Sequence, residues 1–250
     1  MKKGDVMVLT DRWTEILNYL RNKKFATVEE MMETFNISRS TLRRDLIAME
    51  DKGLIIRTRG GAEIIESEED VVFNLEEVLE ANKAEKIKIA NKAAKRIKDN
   101  DVIFIDSGST CYYIIDFIKA KNITVVTNGI AHIQKLISKG INTYILGGYA
   151  KPELNLIIGE DTEKKVSMMN FDIAFLGTMG IDKQAGFTTS LLIDGEVKRA
   201  VIKSSKECFI LADKSKFNVR RIYTYGSFED AEIITSSKVD FDCDNLRITY

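Results

Sequence analysis

The sequence predicts an α/β protein in two parts: a small amino-terminal unit of three helices closed by a hairpin, and a larger carboxy-terminal domain built on a mainly parallel sheet. Three observations point there. Apolar residues recur at helical spacing in three short segments between residues 11 and 51; two short β-like runs flank Gly60-Gly61; and beyond residue 83 apolar runs of the kind buried strands carry alternate with helical stretches.

In DRWTEILNYLRN, Trp13, Ile16, Leu17 and Leu20 fall on one stripe of a first helix. Thr27 with Glu30 three residues on is a capping box that opens a second, carrying Val28, Met31, Met32 and Phe35 inward until Asn36-Ile37 breaks the pattern. Ser38 is the expected N-cap of a third helix and Gly53 its left-handed terminator. On that third helix Leu42, Leu46 and Met49 share the face that packs on the first two, while Ser40, Arg44, Ile47 and, at its edge, Arg43 face outward. Asp45 lies nearer the buried side, where pairing with a neighbouring arginine is its expected role. The run LIIRTRGGAEII then reads as a hairpin with Arg57 and Arg59 at its tip.

An arginine-bearing amphipathic helix alone is an ordinary solvated surface. The ordered combination of capping box, turn, hydroxyl cluster, arginine pair and basic hairpin is a winged helix-turn-helix, whose outward helix fits the major groove of double-stranded DNA. Arginines there grip guanine edges, while hydroxyls and the helix amino end hold phosphates. The expected DNA-contacting set is Ser38, Arg39, Ser40, Thr41, Arg43, Arg44, Arg57 and Arg59.

Charge supports the division. The net charge of the chain is only -1, yet residues 1–62 carry net +3 and the remainder net -4, and residues 63–82 hold eight acids and no base. Such a block marks a solvated linker or an exposed helix face. The expected domains are 1–62, an acidic linker at 63–82, and 83–250. With 44% hydrophobic and 30% charged residues the composition is that of a soluble globular protein. The amino-terminal apolar stretch, Val6 to Leu9, is too short for a signal-peptide core, and no run approaches a membrane span. Cys111, Cys208 and Cys243 are an odd number without CxxC spacing, which suits a reducing cytoplasm. The single histidine, His132, argues against a metal site; lying in the helical stretch AHIQKLI, it is expected at the surface or the core edge rather than in a catalytic triad. No cofactor is expected.

In the larger part, the helix KAEKIKIANKAAKRIK precedes a strand at Val102 to Asp106, and ITVVT, NTYILGG, FDIAFLG and ECFILA read as later buried strands. Ligands of such sheets bind beyond the carboxyl ends of the strands. Asp106 with Ser107, Gly108, Ser109 and Thr110 stands at one such end and leads into a helix, so backbone N–H groups, hydroxyls and a helix amino terminus converge on an anion-sized spot. Thr127-Asn128-Gly129, Gly147-Gly148, Thr178-Met179-Gly180 and Asp213-Lys214-Ser215-Lys216 end other strands. Each is weak singly; their shared edge of the sheet is the argument.

Two stretches carry a resemblance. TVEEMMETFNISRSTLRRDLIAMEDKGLIIRTRGGA resembles the helix-turn-helix of DeoR-type transcriptional regulators, with Arg59 where that family usually has a histidine. IFIDSGST, VVTNG, LGG, DIAFLGTMGID, GEVKRA and LADKSKF, in that order, resemble the same family's effector domain, so the likeness covers most of the chain. The resemblance implies a domain similar in fold to ribose-phosphate isomerases that senses phosphorylated sugars. It also implies that Asp106 to Thr110 and Thr127-Asn128 lie near the ligand, with Asp172, Glu196, Lys198 and Lys214 or Lys216 around it; Glu196, Lys198 and Arg199 read equally as exposed helix residues.

The expectation is a cytoplasmic DNA-binding repressor of carbohydrate genes, a dimer or tetramer on operator DNA, released or retained by a phosphorylated sugar. The alternative is an isomerase-like enzyme fused to a DNA-binding module. Glu196 is a conceivable base for it, but Thr178-Met179-Gly180 replaces the acidic pair such isomerases carry, and no GxGxxG follows any predicted strand to support a dehydrogenase.

Overall fold

The computed structural model describes residues 11–51, 54–58, 60–64, 75–151 and 154–250, and the chain divides into two compact units, Met1–Val71 and Val72–Tyr250. The smaller unit runs through helix α1 (Asp11–Lys23), strand β1 (Phe25–Thr27), helices α2 (Val28–Phe35) and α3 (Arg39–Asp51), and strands β2 (Ile55–Thr58) and β3 (Gly61–Ile64). Ile16, Leu17 and Leu20 of α1, Met31 of α2 and Leu42, Leu46 and Met49 of α3 share one core with Ile55 and Ala62, so the apolar stripe of each helix sets its inward face. The capping box forms: Glu30 N–H donates to Thr27 Oγ1 at 3.2 Å and Thr27 N–H to Glu30 Oε2 at 3.0 Å. α2 stops at left-handed Asn36, φ 48°, and Ser38 Oγ caps α3 by accepting from Thr41 N–H at 3.2 Å. Gly53, the expected terminator of α3, lies outside the described residues.

β1 carries too few residues for its alternation to show in the sequence. It pairs antiparallel with β3 to make a three-stranded sheet in the order β1-β3-β2. The two glycines of the hairpin have separate physical reasons. Gly60 sits at φ +100°, which side chains other than hydrogen resist, whereas a Cβ on Gly61 would stand 2.3 Å from the Ala26 carbonyl oxygen. Arg57 pairs with Ala62 and Thr58 with Gly61, so Arg57 lies within β2 rather than at the tip. Arg59 lies outside the described residues.

Asp45 does not pair with an arginine of its own helix. Its carboxylate accepts from Arg12 Nε and Nη2 at 2.7 and 3.0 Å and from Trp13 Nε1 at 3.1 Å, all on α1. Burial works against its charge, but these donors outweigh burial and hold the carboxyl below the usual carboxylate range. The hydrogen-bonded partners of Asp45 come from the helix beneath, and Arg44 adds only a charge at longer range.

The larger unit opens with α4 (Leu75–Glu80) and α5 (Lys83–Ala94), then winds through β4 (Val102–Ile105), α6 (Ser109–Phe117), β5 (Thr124–Thr127), α7 (Ile130–Ser138) and β6 (Asn142–Ile145). An antiparallel arm, β7 (Tyr149–Lys151) and β8 (Leu156–Ile158), leads to α8 (Glu160–Ser167) and β9 (Phe171–Gly177). β10 (Gly180–Asp182) and β11 (Gly186–Thr189) precede α9 (Leu192–Lys203), and β12 (Ser205–Leu211), β13 (Tyr223–Gly226), β14 (Glu232–Ile234) and β15 (Ile248–Thr249) complete the chain. β10, β11 and β13 form a small antiparallel sheet. The main sheet has seven strands, all parallel, in the order β15-β14-β12-β9-β4-β5-β6.

Strand periodicity divides the core. Phe104, Ala174, Leu176 and Ile210 face one apolar cluster with Val166 of α8 and Val197, Ala200 and Val201 of α9. Ile103, Ile105, Ile173, Phe175, Phe209 and Leu211 face the other, with Ile89 and Ala93 of α5, Ile114 of α6 and Leu136 of α7. The chain leaves β4 toward β5 and β6 but leaves β9 toward β12, so the winding reverses between the adjacent strands β4 and β9. Their carboxyl ends form the crevice where sheets of this kind take ligands.

The acidic block 63–82 is not one element. Glu63 and Ile64 belong to β3, while α4 belongs to the larger unit, where its Leu79 packs against the core cluster around Ile89. Residues 65–74 lie outside the described residues.

His132 corrects an expectation of surface or core-edge placement: it is wholly buried, its ring edge-on to Tyr112 at 5.4 Å. Desolvation lowers its pKa to about 3, keeping the ring neutral. The folded value lies below the unfolded value near 6.5, so below pH 6.5 unfolding takes up a proton. Stability is therefore intact above pH 6.5, falls by about 1.4 kcal/mol per pH unit as pH drops towards 3, and loses nothing further from this group below that. Chemical denaturation between pH 7 and 4 is expected to show this slope in the native chain and a shallower one, by about one proton, in His132→Leu.

Candidate functional site

The smaller unit presents a face. Ser40, Arg43, Arg44 and Ile47 of α3 are exposed, opposite the buried Leu42, Leu46 and Met49. Ser38, Ser40 and Thr41 gather their hydroxyls at the amino end of the helix, Ser38 Oγ lying 3.0 Å from Ser40 Oγ and 2.9 Å from Thr41 Oγ1. Arg39 is paired with Glu29 of α2, and Arg57 donates from Nε to Glu50 Oε2 at 2.7 Å. Arg43 and Arg44 make no hydrogen bond or ion pair among the described residues, so their guanidinium donors are free for an external acceptor.

The larger unit holds a cavity of about 570 Å³ at the reversal between β4 and β9, within the range of small-ligand sites. Asp106 follows β4, and Ser107 to Thr110 lead from it into α6, whose first-turn N–H groups have no acceptor inside the helix. Gly177, Thr178 and Met179 continue β9, and Asp213, Ser215 and Lys216 follow β12. α4 supplies Glu77 and Val78, and α5 supplies Lys86.

At the back of the cavity Lys198 of α9 is enclosed by two carboxylates. Its Nζ lies 2.5 Å from Asp194 Oδ1 and 3.1 Å from Asp106 Oδ2, all three side chains buried. Asp106 Oδ2 also accepts from Gly177 N–H at 2.8 Å, and Asp194 Oδ2 from Thr189 Oγ1 at 3.1 Å. Burial by itself would strip the proton from Lys198; Asp106 and Asp194 outweigh burial and raise its pKa. Lys86 has the opposite balance. Buried and donating to the Val78 carbonyl, it is held below the usual lysine range by desolvation.

Asp106, Ser107, Gly108, Ser109, Thr110, Lys198 and Lys216 thus stand together on the wall, as the strand-end argument expects. Five expected residues do not. Thr127 and Asn128 are buried off the wall: the Asn155–Ile158 segment crosses the end of β5, with Ile157 N–H donating to the Asn128 carbonyl at 2.8 Å. Asp172 is the second residue of β9, five residues before Gly177 and so roughly 17 Å away at strand rise, and is paired with Lys206 at 2.7 Å. Glu196 is exposed on α9 beside Lys203, Glu163 and Lys164 in a separate depression, two residues off the buried stripe of Asp194 and Lys198. Lys214 is also off the wall, drawn to Glu85 at 3.2 Å.

Sequence reasoning passed over Asp194, although an acid four residues before Lys198 on a helix signals an ion pair. It also passed over Lys86, a charge on the apolar stripe of Ile89, Ala90 and Ala93. Replacing Lys198 by methionine leaves two buried carboxylates without their cation. A loss of about 3–5 kcal/mol in the larger unit is expected by urea denaturation at pH 7, with part recovered when Asp194→Asn is added.

Residues 12–68 match the family described as the DeoR-like helix-turn-helix domain, and residues 81–238 match the DeoR C terminal sensor domain. The uncharacterized HTH-type transcriptional regulator FruR of Bacillus subtilis is 37% identical over 96% of this chain and 96% of its own length. The HTH-type transcriptional repressor GlcR of the same organism is 32% identical over 93% of this chain and 90% of its own. Among solved structures, ribose 5-phosphate isomerase from Plasmodium falciparum overlaps 53% of this chain and 52% of its own with 23% identity and a TM-score of 0.39. With both of its units matched and relatives spanning nearly its full length, the chain belongs to the DeoR family of transcription regulators.

Proposed function

We propose that this chain is a repressor that reads double-stranded operator DNA through α3 and adjusts its hold on that DNA when a phosphorylated sugar occupies the cavity beside Lys198. The division of labour is residues 1–62 for DNA, 63–82 as the acidic connection and 83–250 for sensing. The observation that carries the reading is the outward stripe of α3: two uncommitted arginines on a helix braced from beneath by leucines, a methionine and Asp45. Ser38, Ser40, Thr41 and the helix amino end supply phosphate contacts; Arg39 and Arg57 exchange glutamate for phosphate on binding. One such module spans about half a turn of duplex, so two copies on two-fold-related half-sites make the binding unit.

The cavity suits an anion with hydroxyls. The amino end of α6 with Ser107 to Thr110 offers a phosphate N–H and O–H donors, Lys86 and Lys216 add positive charge, and Asp106 and Asp213 are acceptors for sugar hydroxyls. A ligand that prefers one arrangement of the protein by roughly 1–3 kcal/mol changes operator affinity about 5- to 150-fold. The isomerase alternative loses the base conceived for it, because Glu196 stands outside the cavity, and Asp106 and Asp194 are both engaged by Lys198. Among the described residues no helix is long and apolar enough to cross a membrane.

Two measurements test this function. Arg43→Ala and Arg44→Ala are each expected to cost about 1–3 kcal/mol on a specific duplex and much less on random DNA, read by fluorescence anisotropy; unchanged selectivity removes α3 from the reading role. In a thermal-shift panel, sugar phosphates are expected to raise the Tm of the chain, by an amount corresponding to about 2.7 kcal/mol at a hundredfold excess over Kd, where the parent sugars do not. Conversion of any of them to an isomer would instead establish the enzyme.

A further inference from the structure

The outward stripe of α3 contains a side chain that neither phosphate binding nor guanine recognition uses. At about 100° per residue, Ile47 lies between Arg43 and Arg44 on the helix surface, about 20° from Ser40 and opposite the buried Leu42, Leu46 and Met49. It is 37% exposed. Of the large apolar side chains exposed in this unit among the described residues, Phe25 and Ile56 belong to the small sheet and Ile47 alone to α3. A β-branched residue is a weaker helix former than the leucine, lysine or glutamine that an exposed position would otherwise carry, and here its apolar surface gains little from the fold.

Its neighbours say what it meets. The arginines on either side carry donors with no partner among the described residues, suited to base edges, so whatever they approach also reaches Ile47. The apolar group that the major groove of DNA presents among those edges is the 5-methyl of thymine. We infer that Ile47 recognises a thymine methyl in each half-site, flanked by the base contacts of Arg43 and Arg44. The inference rests on α3 being the reading helix and deepens it: the operator carries thymine at a fixed place beside the arginine-read bases.

The test uses the full-length chain and a duplex selected by that chain from a random-sequence pool. Each thymine of the selected site is replaced in turn by deoxyuridine, which keeps base pairing and removes only the methyl. One position per half-site is expected to weaken native binding about fourfold, the factor that burial of one methyl corresponds to. Ile47→Ala, an exposed change to a stronger helix former, is expected to bind the selected duplex several-fold more weakly and to be indifferent to deoxyuridine at that position. Ile47→Val is expected to keep part of the sensitivity. Native binding that ignores every deoxyuridine, or an Ile47→Ala variant as sensitive as the native chain, overturns the inference while leaving α3 as the reading helix. If selection yields no preferred sequence, the reading-helix assignment fails first, before any methyl is removed, and the inference falls with it.

Discussion

The larger unit turns on a buried ammonium held between two buried carboxylates. Lys198 binds α9 to Asp106 at the carboxyl end of β4, and Asp106 accepts from Gly177 N–H of β9, at the point where the winding of the sheet reverses. An unpaired charge there would cost several kcal/mol, so the three side chains specify one another. With Gly177 N–H also committed to Asp106, the group fixes the back wall of the cavity. The donors of the Ser107–Thr110 turn are left to face inward from a rigid base.

The smaller unit has an equivalent brace. Asp45 sits on the buried side of α3 and takes three hydrogen bonds from Arg12 and Trp13 of α1, tying the outward helix to the one beneath it. Truncation or neutralisation of Asp45 would loosen α3 without touching its exposed face. Both units therefore follow the same logic: a buried or half-buried carboxylate holds an element in place so that neighbouring groups with free donors can meet a ligand. In each case the site is built from regular elements rather than from loops alone, and this keeps its geometry defined.

How legible all this is depends on whether a residue's partner is near in sequence. The capping box of Thr27 and Glu30, the stripe of Leu42, Leu46 and Met49, and the strand-to-helix turn from Asp106 to Thr110 are local patterns set by helical and strand periodicity, and they stand where those periods put them. β1 is too short to show a period. Asp45 was assignable to the buried side but not to Arg12, 33 residues earlier. Asp172 and Glu196 show the converse error: both neighbour motif residues in the chain, but strand direction carries Asp172 to the far end of β9, and helical rotation turns Glu196 away from Lys198.

By itself the sequence determined the inward face of each helix, the alternation that splits the main sheet between two apolar clusters, and which strand ends carry hydroxyls and charges, because these depend on spacings of two to four residues. Only the tertiary structure decided which strand ends converge. The order β12-β9-β4-β5 brings Asp106, Gly177 and Asp213 to one crevice, and the chain crossing the end of β5 shuts Thr127 and Asn128 out of it. The choice of Asp106 and Asp194 as partners of Lys198 likewise depends on contacts between elements distant in the chain, where burial makes charges seek one another and local pattern has no reach.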